Sequence, residues 1–437
     1  MERVTTIKVC MWGTTIGYLH QENTGLIGFQ YDPNFLDSEI EVSPVKMPLT
    51  AQTYFFPALP EHTYHGLPGM VADSLPDRFG NIVINRYLES QGRTSSDLSV
   101  LEKLCYTGKR GMGALEYEPS QDIFHSNDSV DLDALTKLAA EVLSEKEKLD
   151  IRADDRMMAQ LMECGSSVGG ARAKTLIAWN PETNHIRSGQ INAGKGYEYW
   201  LLKFDNIQNN KDKDSKPDGG EYTKVEYAYY LMALNAGIQM SDCRLYRESG
   251  NAHFMTKRFD RVGPTGEKVH MQSLCAIGHM DFNSPRTSSY EEAFDVMKKL
   301  GLSYKEKVQL FKRMVFNDYA KNFDDHTKNI SFLMDKSGTW SLAPAYDMTF
   351  SYRKDSLWVK AHQMLINGKA ENIDTEDFMA VARFAGIRKK DAAASIDQVL
   401  NSISQWEHFA QAAGMSSFTY EQIRSFFLPI NTKSFAK

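Results

Sequence analysis

Three side chains that could hold a metal ion or accept a proton lie close together in one stretch of the sequence. Asp324 precedes Asn329 by five residues, and Asp347 follows beyond a predicted hairpin turn at residues 335–338. Carboxylate and amide oxygens suit Mg²⁺, and phosphoryl transfer depends mainly on positioning and on neutralising phosphate charge. The spacing therefore predicts Asp324 as a catalytic base, and Asn329 and Asp347 as magnesium ligands.

The same residues also have a purely structural interpretation. Asp and Asn side chains often cap loops by bonding to nearby backbone N–H groups, so a pair at this spacing is common by itself. The hairpin and the third acid beyond it favour the metal site, because protein kinases arrange a base, an asparagine ligand and a later aspartate in this order. The order therefore indicates phosphoryl transfer from a nucleotide.

A glycine-rich segment upstream could hold the phosphates. GSSVGGARAKT precedes the predicted strand TLIAW, and consecutive glycines let backbone N–H groups approach phosphate oxygens closely. An ordinary turn between two elements would use the same glycines. The segment lacks the G-x-x-x-x-G-K-[ST] pattern, which excludes a P-loop NTPase.

A lysine interrupts the otherwise apolar predicted strand YWLLKFD. Burial of the Lys203 ammonium is costly unless it meets a counter-ion or a phosphate, whereas on an edge strand it would face water. Glu226 opens the next predicted helix, where it could pair with Lys203 or favour the helix dipole. Lys257, Arg258 and Phe259 end a predicted hairpin where a hinge backbone would meet adenine, although Phe259 could equally be a core residue.

The elements that must position these residues divide into three predicted parts. Residues 1–125 are strand-like and rich in β-branched and aromatic side chains. Residues 126–258 combine a helix before residue 150, the strands TLIAW and YEYWLLKFD, a polar loop over 206–220 and a helix over 225–236. Residues 259–437 turn helical, with a capping box at Ser303 and Glu306. We therefore predict an α+β, two-lobed fold: an α/β N-terminal lobe with an extra N-terminal subdomain, and an all-α C-terminal lobe.

Composition limits the classes of partner and compartment. The net charge of −6 gives no global positive field that would hold nucleic acid. The five cysteines are scattered, with no C-x-x-C pair for a zinc site or a redox dithiol, which favours reduced thiols. The N-terminus lacks a signal-peptide pattern, and no apolar run is long enough to span a bilayer. We expect a cytoplasmic protein with no membrane partner.

Several motifs together resemble a known family. SSVGGARAKT, WLLKFD, VEYAYYLMALNAGI, TKRFDR, NFDDHTKN and LAPAYDM, in this order, are similar to the HipA-type toxin kinases. FFPALPEHTYHGLPGMVADSLPDRFGN and GMGALEY resemble that family's N-terminal subdomain, so the resemblance covers nearly the whole chain. It implies a two-lobed, Mg·ATP-dependent serine/threonine protein kinase that arrests growth.

The resemblance also implies roles for individual residues. Asp324 would be the catalytic base, with Asn329 and Asp347 binding Mg²⁺. The residues expected near the nucleotide include Lys203 on the phosphates and residues 257–259 at adenine. The full nucleotide set is Gly169, Gly170, Ala171, Arg172, Ala173, Lys174, Lys203, Lys257, Arg258, Phe259, His326, Thr327, Lys328, Asn329, Tyr346 and Asp347.

Two kinds of regulation follow from the resemblance. HipA-type kinases can phosphorylate their own serine beside the glycine-rich loop, which maps onto Ser167, with Ser166 as the neighbouring alternative. Such a phosphate would compete with ATP for the backbone N–H groups and switch the enzyme off. The family also implies a helix-turn-helix, HipB-like antitoxin that binds operator DNA. The basic cluster at residues 388–390 could face that DNA or could be a solvated helix end.

The sequence departs from the expected patterns at a few positions, and two other functions stay open. Met348 and Thr349 follow Asp347 where protein kinases have Phe-Gly, while Ala173 and Ser273 replace residues that are more usual in HipA-like sequences. A small-molecule or lipid kinase would use the same loop chemistry. A catalytically silent subunit that acts as a corepressor with an antitoxin on DNA is the other alternative.

Overall fold

The computed structural model describes residues 4–93, 98–121, 129–143, 155–165, 172–190, 192–207 and 220–427. Ser166, Ser167, Gly169, Gly170 and Ala171, which the sequence places at or beside the nucleotide, lie outside these ranges. Most of the predicted polar loop over 206–220 also lies outside them. The geometry below therefore concerns the remaining predicted site residues.

The N-terminal part is built on an antiparallel sheet in the order β4-β3-β2-β1-β5. Its strands are β1 Thr6–Met11, β2 Thr14–Gln21, β3 Ile27–Tyr31, β4 Thr53–Tyr54 and β5 Leu115–Glu118. The same stretch of sequence contains five helices: α1 Pro33–Leu36, α2 Glu61–Tyr64, α3 Gly69–Ala72, α4 Arg78–Ser90 and α5 Val100–Thr107. Buried β-branched and aromatic side chains along β1 and β3 join this sheet to the main core.

A second antiparallel sheet, ordered β7-β6-β8-β10-β9, carries the lysines of interest. Its strands are β6 Lys174–Trp179, β7 Ile186–Ser188, β8 Glu198–Lys203, β9 Cys243–Glu248 and β10 Asn251–Lys257. The associated helices are α6 Leu132–Leu143, α7 Asp155–Gly165 and α8 Tyr222–Asn235. Because β8 is the central strand, the edge-strand interpretation of Lys203 is wrong, and its ammonium needs partners inside the protein.

The C-terminal part is rich in helices: α9 Leu274–Gly278, α10 Tyr290–Lys299, α11 Tyr304–Tyr319, α12 Thr375–Phe384, α13 Lys389–Ile403, α14 Trp406–Ala413 and α15 Ser417–Arg424. The predicted capping box at Ser303 and Glu306 opens α11. This part is not wholly helical. It contains β13 His270–Ser273, β15 Ser331–Met334 and β16 Trp340–Leu342 in one sheet, besides the short pairs β11 Arg261–Val262 with β12 Glu267–Lys268 and β14 Ser288–Ser289 with β17 Met364–Leu365.

The three-stranded sheet has a clear physical origin. The predicted turn at 335–338 closes the β15–β16 hairpin, where Asp335 accepts hydrogen bonds from the Ser337 and Thr339 backbone N–H groups at 2.8 and 3.1 Å. A hairpin alone is only marginally stable in water. Pairing of β15 with β13 supplies the third strand, so the hairpin between Asn329 and Asp347 is firmly held.

Candidate active site

The loop that carries Asp324 is closed by its own side chains. Asn329 Nδ2 donates to the Asp324 carbonyl oxygen at 2.9 Å, and the Asn329 backbone N–H donates to the His326 carbonyl at the same distance. Thr327 Oγ1 donates to Met280 O at 2.7 Å and ties the loop to the segment after α9. The Asp324 side chain is left 40% exposed. An accessible carboxylate on a fixed backbone is what a base for an incoming hydroxyl requires.

Asp347 is held beside this loop by its neighbour Tyr346. The Tyr346 hydroxyl donates to the Lys328 carbonyl at 2.7 Å and lies 2.5 Å from Ser331 Oγ. Asp347 itself has φ of +52°, in the left-handed region that residues with a Cβ seldom adopt. Strained backbone of this kind tends to occur at functional sites. The Asp347 carboxylate is thus directed by the fold rather than by local preference.

Three charged groups meet at the end of the central strand β8. Lys203 Nζ lies 2.6 Å from Glu226 Oε1 of helix α8 and also contacts Asp347 Oδ1. Burial disfavours the Lys203 cation, but the two carboxylates outweigh burial and raise the pKa of Lys203. The sequence-based pairing of Lys203 with Glu226 is therefore confirmed, and Asp347 joins the same cluster.

The charge state of Asp347 suits a metal ligand. Burial alone would raise the pKa of this carboxyl group, but the positive charges of Lys203 and Lys174 lower it to about 2. Asp347 and Asn329 line one small cavity of about 20 Å³ together with His326 and Tyr346. Mg²⁺ at phosphate sites is commonly bound through one or two carboxylates plus phosphate oxygens and water. An ionised carboxylate and an amide oxygen on one cavity fit that pattern.

A second lysine lies beside Lys203 and has a partner that the sequence did not predict. Lys174 of β6 pairs across the ladder with Lys203 of β8. The Lys174 ammonium is 2% exposed and lies 3.4 Å from Asp77 Oδ2, in the N-terminal part of the chain. Burial lowers the pKa of Lys174 and raises that of Asp77, and their mutual attraction opposes both shifts. The N-terminal part thus contributes an acid next to the lysine cluster.

Asp77 has two separable functions, which allows a stability prediction. Its Oδ1 accepts from Gly80 N–H at 2.7 Å as the N-cap of α4, while Oδ2 faces Lys174. Asparagine also caps helices well, so Asp77→Asn keeps the cap and removes the charge. We expect Asp77→Asn to lower the free energy of unfolding by roughly 3 kcal/mol, since it breaks a buried ion pair.

Denaturant unfolding of three proteins checks this expectation. Asp77→Ala should lose about 1 kcal/mol more than Asp77→Asn, because alanine removes the cap as well. The parent and the Asp77→Asn variant unfolding at the same midpoint would contradict a stabilising pair between Asp77 and Lys174.

The remaining predicted nucleotide residues have diverse surroundings. The Arg172 guanidinium lies over the Tyr222 ring at 4.2 Å from its centroid, and Ala173 is fully buried. Lys257 Nζ pairs with Glu198 at 2.7 Å. Phe259 is half-buried with its ring 5.7 Å from that of Tyr346, so it lies close to the Asp347 segment rather than in the main core.

The Arg258 side chain points away from these residues. Its Nε and Nη2 donate to the two Asp260 oxygens at 2.9 and 2.8 Å, and the guanidinium is almost fully buried. Asp260 also accepts from Gly113 N–H at 2.8 Å and from Arg261 Nη1 at 2.8 Å. Arg258 is therefore held by other parts of the protein: its guanidinium pairs with Asp260, which in turn binds Gly113 of the N-terminal part, and its backbone N–H donates to Tyr199 O at 2.9 Å.

Three further residues have partners outside the Lys203 cluster. The Ser273 N–H and hydroxyl donate to Asp73 at 2.8 and 2.9 Å. Gln272 is buried and donates to Val42 O at 2.6 Å. At the start of α13, the exposed Arg388 pairs with Asp391 at 2.6 Å, as expected of a solvated helix end.

Fold and site together define a two-lobed, kinase-like protein with a charged cluster and an acidic loop on neighbouring elements. Two family models match its sequence: the HipA-like C-terminal domain over residues 166–407 and the HipA N-terminal domain over residues 7–118. The chain belongs to the HipA family. The resemblance read from the motifs is thereby confirmed.

The fold of the chain can be compared with two solved structures. The chain is similar to HipA of Shewanella oneidensis MR-1, solved as a toxin–antitoxin complex of HipA, HipB and operator DNA. That match has a TM-score of 0.66 at 14% identity and covers 98% of this chain and 96% of that chain, which confirms the predicted fold class. A Helicobacter pylori proinflammatory kinase, CtkA, matches at a TM-score of 0.31 and 12% identity over 53% of this chain and 92% of that chain. No curated protein matches the sequence. Among the described residues, no helix is long and apolar enough to cross a bilayer.

Proposed function

We propose that this protein is a serine/threonine protein kinase that transfers the γ-phosphate of Mg·ATP to a protein hydroxyl. The observation that carries the proposal is an ionic cluster in which the buried Lys203 Nζ lies 2.6 Å from the buried Glu226 and also contacts Asp347, whose side chain is 35% exposed. Active protein kinases require this lysine–glutamate pair and a metal-binding aspartate next to it. The family assignment gives independent support.

Each residue of the site has a separate task in this proposal. Asn329 and Asp347 would hold Mg²⁺, which neutralises phosphate charge when bound. Lys203, kept positive by its two carboxylate partners, would contact the phosphates as ATP binds. Lys174 lies beside it on the neighbouring strand. In this proposal the two lysines would supply positive charge where the transferring phosphoryl group carries negative charge.

Asp324 would act on the acceptor. As the acceptor oxygen forms a bond to the γ-phosphorus, the bond from that phosphorus to the β,γ-bridging oxygen breaks and ADP leaves. The hydroxyl proton goes to the Asp324 carboxylate, whose 40% exposure leaves it accessible to a side chain from another protein. Orientation of the two reactants accounts for much of the rate gain in such a reaction.

The lysine–glutamate pair can be tested directly. We expect Glu226→Gln to lower phosphate transfer by at least about 10-fold, because Lys203 loses the carboxylate that orients it. Glu221→Gln is the matched control, since the half-buried Glu221 at the N-cap of the same helix pairs with Lys224 at 2.9 Å and accepts from Ser416 and Thr419, but does not contact Lys203. Initial rates with saturating ATP provide the measurement. Equal rates for both variants would count against the role of Glu226.

Phosphorylation of the chain's own Ser167, or of the neighbouring Ser166, is proposed as an off-switch. The resemblance supports it, and both serines belong to the glycine-rich segment just before Arg172 and Lys174. A phosphoserine carries nearly two negative charges. It would compete with ATP phosphates for the same backbone N–H groups and lysines.

A HipB-like antitoxin is the proposed partner, with operator DNA contacted through it. The support is family membership together with the similar Shewanella protein, which was solved with HipB and operator DNA. The chain's own net charge of −6 favours indirect DNA contact through such a partner. Binding of the antitoxin would restrain the kinase and relieve growth arrest.

The class of acceptor separates this proposal from its alternatives. Cell extract is incubated with γ-labelled ATP and either the parent or Asp324→Ala. We expect label on protein serine or threonine with the parent alone. Label that appears only in the small-molecule or lipid fraction would identify a different kinase class. No transfer with either protein, combined with intact operator repression in both, would favour a silent corepressor.

A further inference from the structure

The residue directly after Asp324 points in the opposite direction and is buried. Asp325 is 3% exposed, against 40% for the side chain of Asp324. Its carboxylate accepts three hydrogen bonds: from His362 Nδ1 at 2.7 Å, from the Tyr290 hydroxyl at 2.9 Å and from the Gln363 backbone N–H at 2.8 Å. Three short bonds to one buried carboxylate fix the backbone of the loop at this residue.

His362 connects Asp325 to a second carboxylate. Its ring is fully buried, and Nε2 lies 3.2 Å from Asp318 Oδ1 near the end of α11. Both ring nitrogens face carboxylates, so both are donors and the imidazole is doubly protonated. Burial opposes this cation, but Asp325 and Asp318 raise the pKa of His362 to about 9. The Phe323 ring, 4.3 Å away between centroids, covers the imidazolium.

The same carboxylate is connected to the helices on its other side. Tyr290 opens α10, and its hydroxyl also accepts from Asn317 Nδ2 of α11 at 3.0 Å. Asn322, just before the loop, donates to Asn317 Oδ1 at 2.9 Å. Tyr290 of α10 and the segment at 362–363 thus bond to Asp325 directly, and α11 is connected to it through Tyr290 and His362.

We infer that Asp325, held by His362, Tyr290 and the Gln363 backbone N–H, is a positioning residue that fixes the Asp324 carboxylate for proton acceptance. This inference rests on the proposed kinase function. Among the residues that the structure describes, the nearest charged partner of the Asp324 carboxylate is His326 Nε2 at 3.9 Å, which is too far for a hydrogen bond. The orientation of the Asp324 carboxylate therefore depends on the position of the loop backbone. A displacement of about 1 Å at a reacting group can lower the rate by roughly 100-fold.

Two asparagine substitutions separate positioning from simple stability. Asp325→Asn weakens the hydrogen bonds that hold the loop itself. Asp318→Asn instead removes the second carboxylate that faces His362 and leaves the bonds to the loop in place. At pH 6.5 we expect Asp325→Asn to lower kcat by roughly 10- to 100-fold with KM for ATP changed less than about threefold. Asp318→Asn should stay within about threefold of the parent on both constants.

Tyr290→Phe gives a milder variant in case Asp325→Asn does not fold. It removes one hydroxyl from a fully buried ring, and we expect kcat to fall several-fold at unchanged KM. If the parent is active and kcat is unchanged in both the Asp325 and the Tyr290 variant, the inference is overturned and the proposed function is not. An inactive parent would instead overturn the proposed function.

The pH profile offers a readout that a purely structural role would not move. The parent should lose kcat as pH rises towards 9, because a neutral His362 can donate to only one of Asp325 and Asp318. Asp318→Asn removes one of the carboxylates that favour the cation, so the alkaline limb should shift by roughly one pH unit or more towards lower pH. An alkaline limb at the same pH in both proteins would contradict the inference.

Discussion

Asp347→Asn is expected to abolish phosphate transfer, with a fall of at least about 1000-fold. The carboxylate is ionised, with a pKa of about 2, and contacts Lys203. Asparagine keeps the shape of the side chain but provides neither the charge that Mg²⁺ needs nor a counter-ion for the lysine. A metal ion at a phosphoryl oxygen stabilises the charge of the transition state and lowers the activation free energy by several kcal/mol. Affinity for Mg·ATP should fall with the rate.

The matched control for this substitution lies twelve residues upstream. Asp335→Asn makes the same chemical change at an exposed hairpin turn, where asparagine can still accept the Ser337 and Thr339 bonds. It should keep the parent's rate and its Mg·ATP affinity in calorimetric titration. An Asp347→Asn variant that is folded and as active as Asp335→Asn would rule out Asp347 as a metal ligand.

Asp324→Asn should lower kcat by roughly 1000-fold while Mg·ATP affinity stays within a few-fold of the parent. Loss of a positioned general base costs on the order of 10²- to 10⁴-fold. The Asp324 side chain is 40% exposed, and Asn329 bonds to its backbone oxygen rather than to its carboxylate. The substitution therefore leaves the loop and the proposed metal ligands in place.

Separate measurement of rate and binding distinguishes this variant from the previous one. Asp324→Asn should bind Mg·ATP and fail to transfer phosphate, whereas Asp347→Asn should fail at both. If Asp324→Asn lost nucleotide affinity as strongly as Asp347→Asn, the assignment of Asp324 as base rather than ligand would be wrong. Equal activity of parent and variant would exclude a base role altogether.

The parts of the site that the sequence predicted correctly are those with local signals. The turn at 335–338 and the spacing from Asp324 to Asn329 place the hairpin of β15 and β16 correctly. The pairing of Lys203 with Glu226 follows from a charged residue in an apolar strand and an acid in the first turns of the next helix. These patterns are short because each belongs to one or two adjacent elements.

The parts that the sequence did not predict depend on tertiary contacts. Asp77 meets Lys174 across 97 residues, and Asp325 meets His362 across 37 residues. Neither acid is distinguished by its neighbours in the chain. A possible signal was the run of two aspartates in NFDDHTKN, since one loop seldom needs two adjacent carboxylates unless one of them is paired inside the protein.

The strands of the C-terminal lobe and the surroundings of the Arg258 side chain also depend on tertiary contacts that the local sequence does not show. β13 is four residues long and becomes a strand only by pairing with β15, about sixty residues further on. Arg258 resembles a ligand residue in sequence, yet Asp260 and the backbone of Gly113 in the N-terminal part determine its environment. Burial of charged residues against distant segments leaves little trace in a local pattern.

The central claim, that this chain is an ATP-dependent protein kinase, is tested most directly by its action on itself. Purified parent and Asp324→Ala are incubated with Mg·ATP and analysed by intact mass and peptide mapping. The account predicts one phosphate on Ser167 or Ser166 in the parent and none in the variant. Absence of both phosphate incorporation and ATP turnover in the parent would contradict it and favour the corepressor alternative.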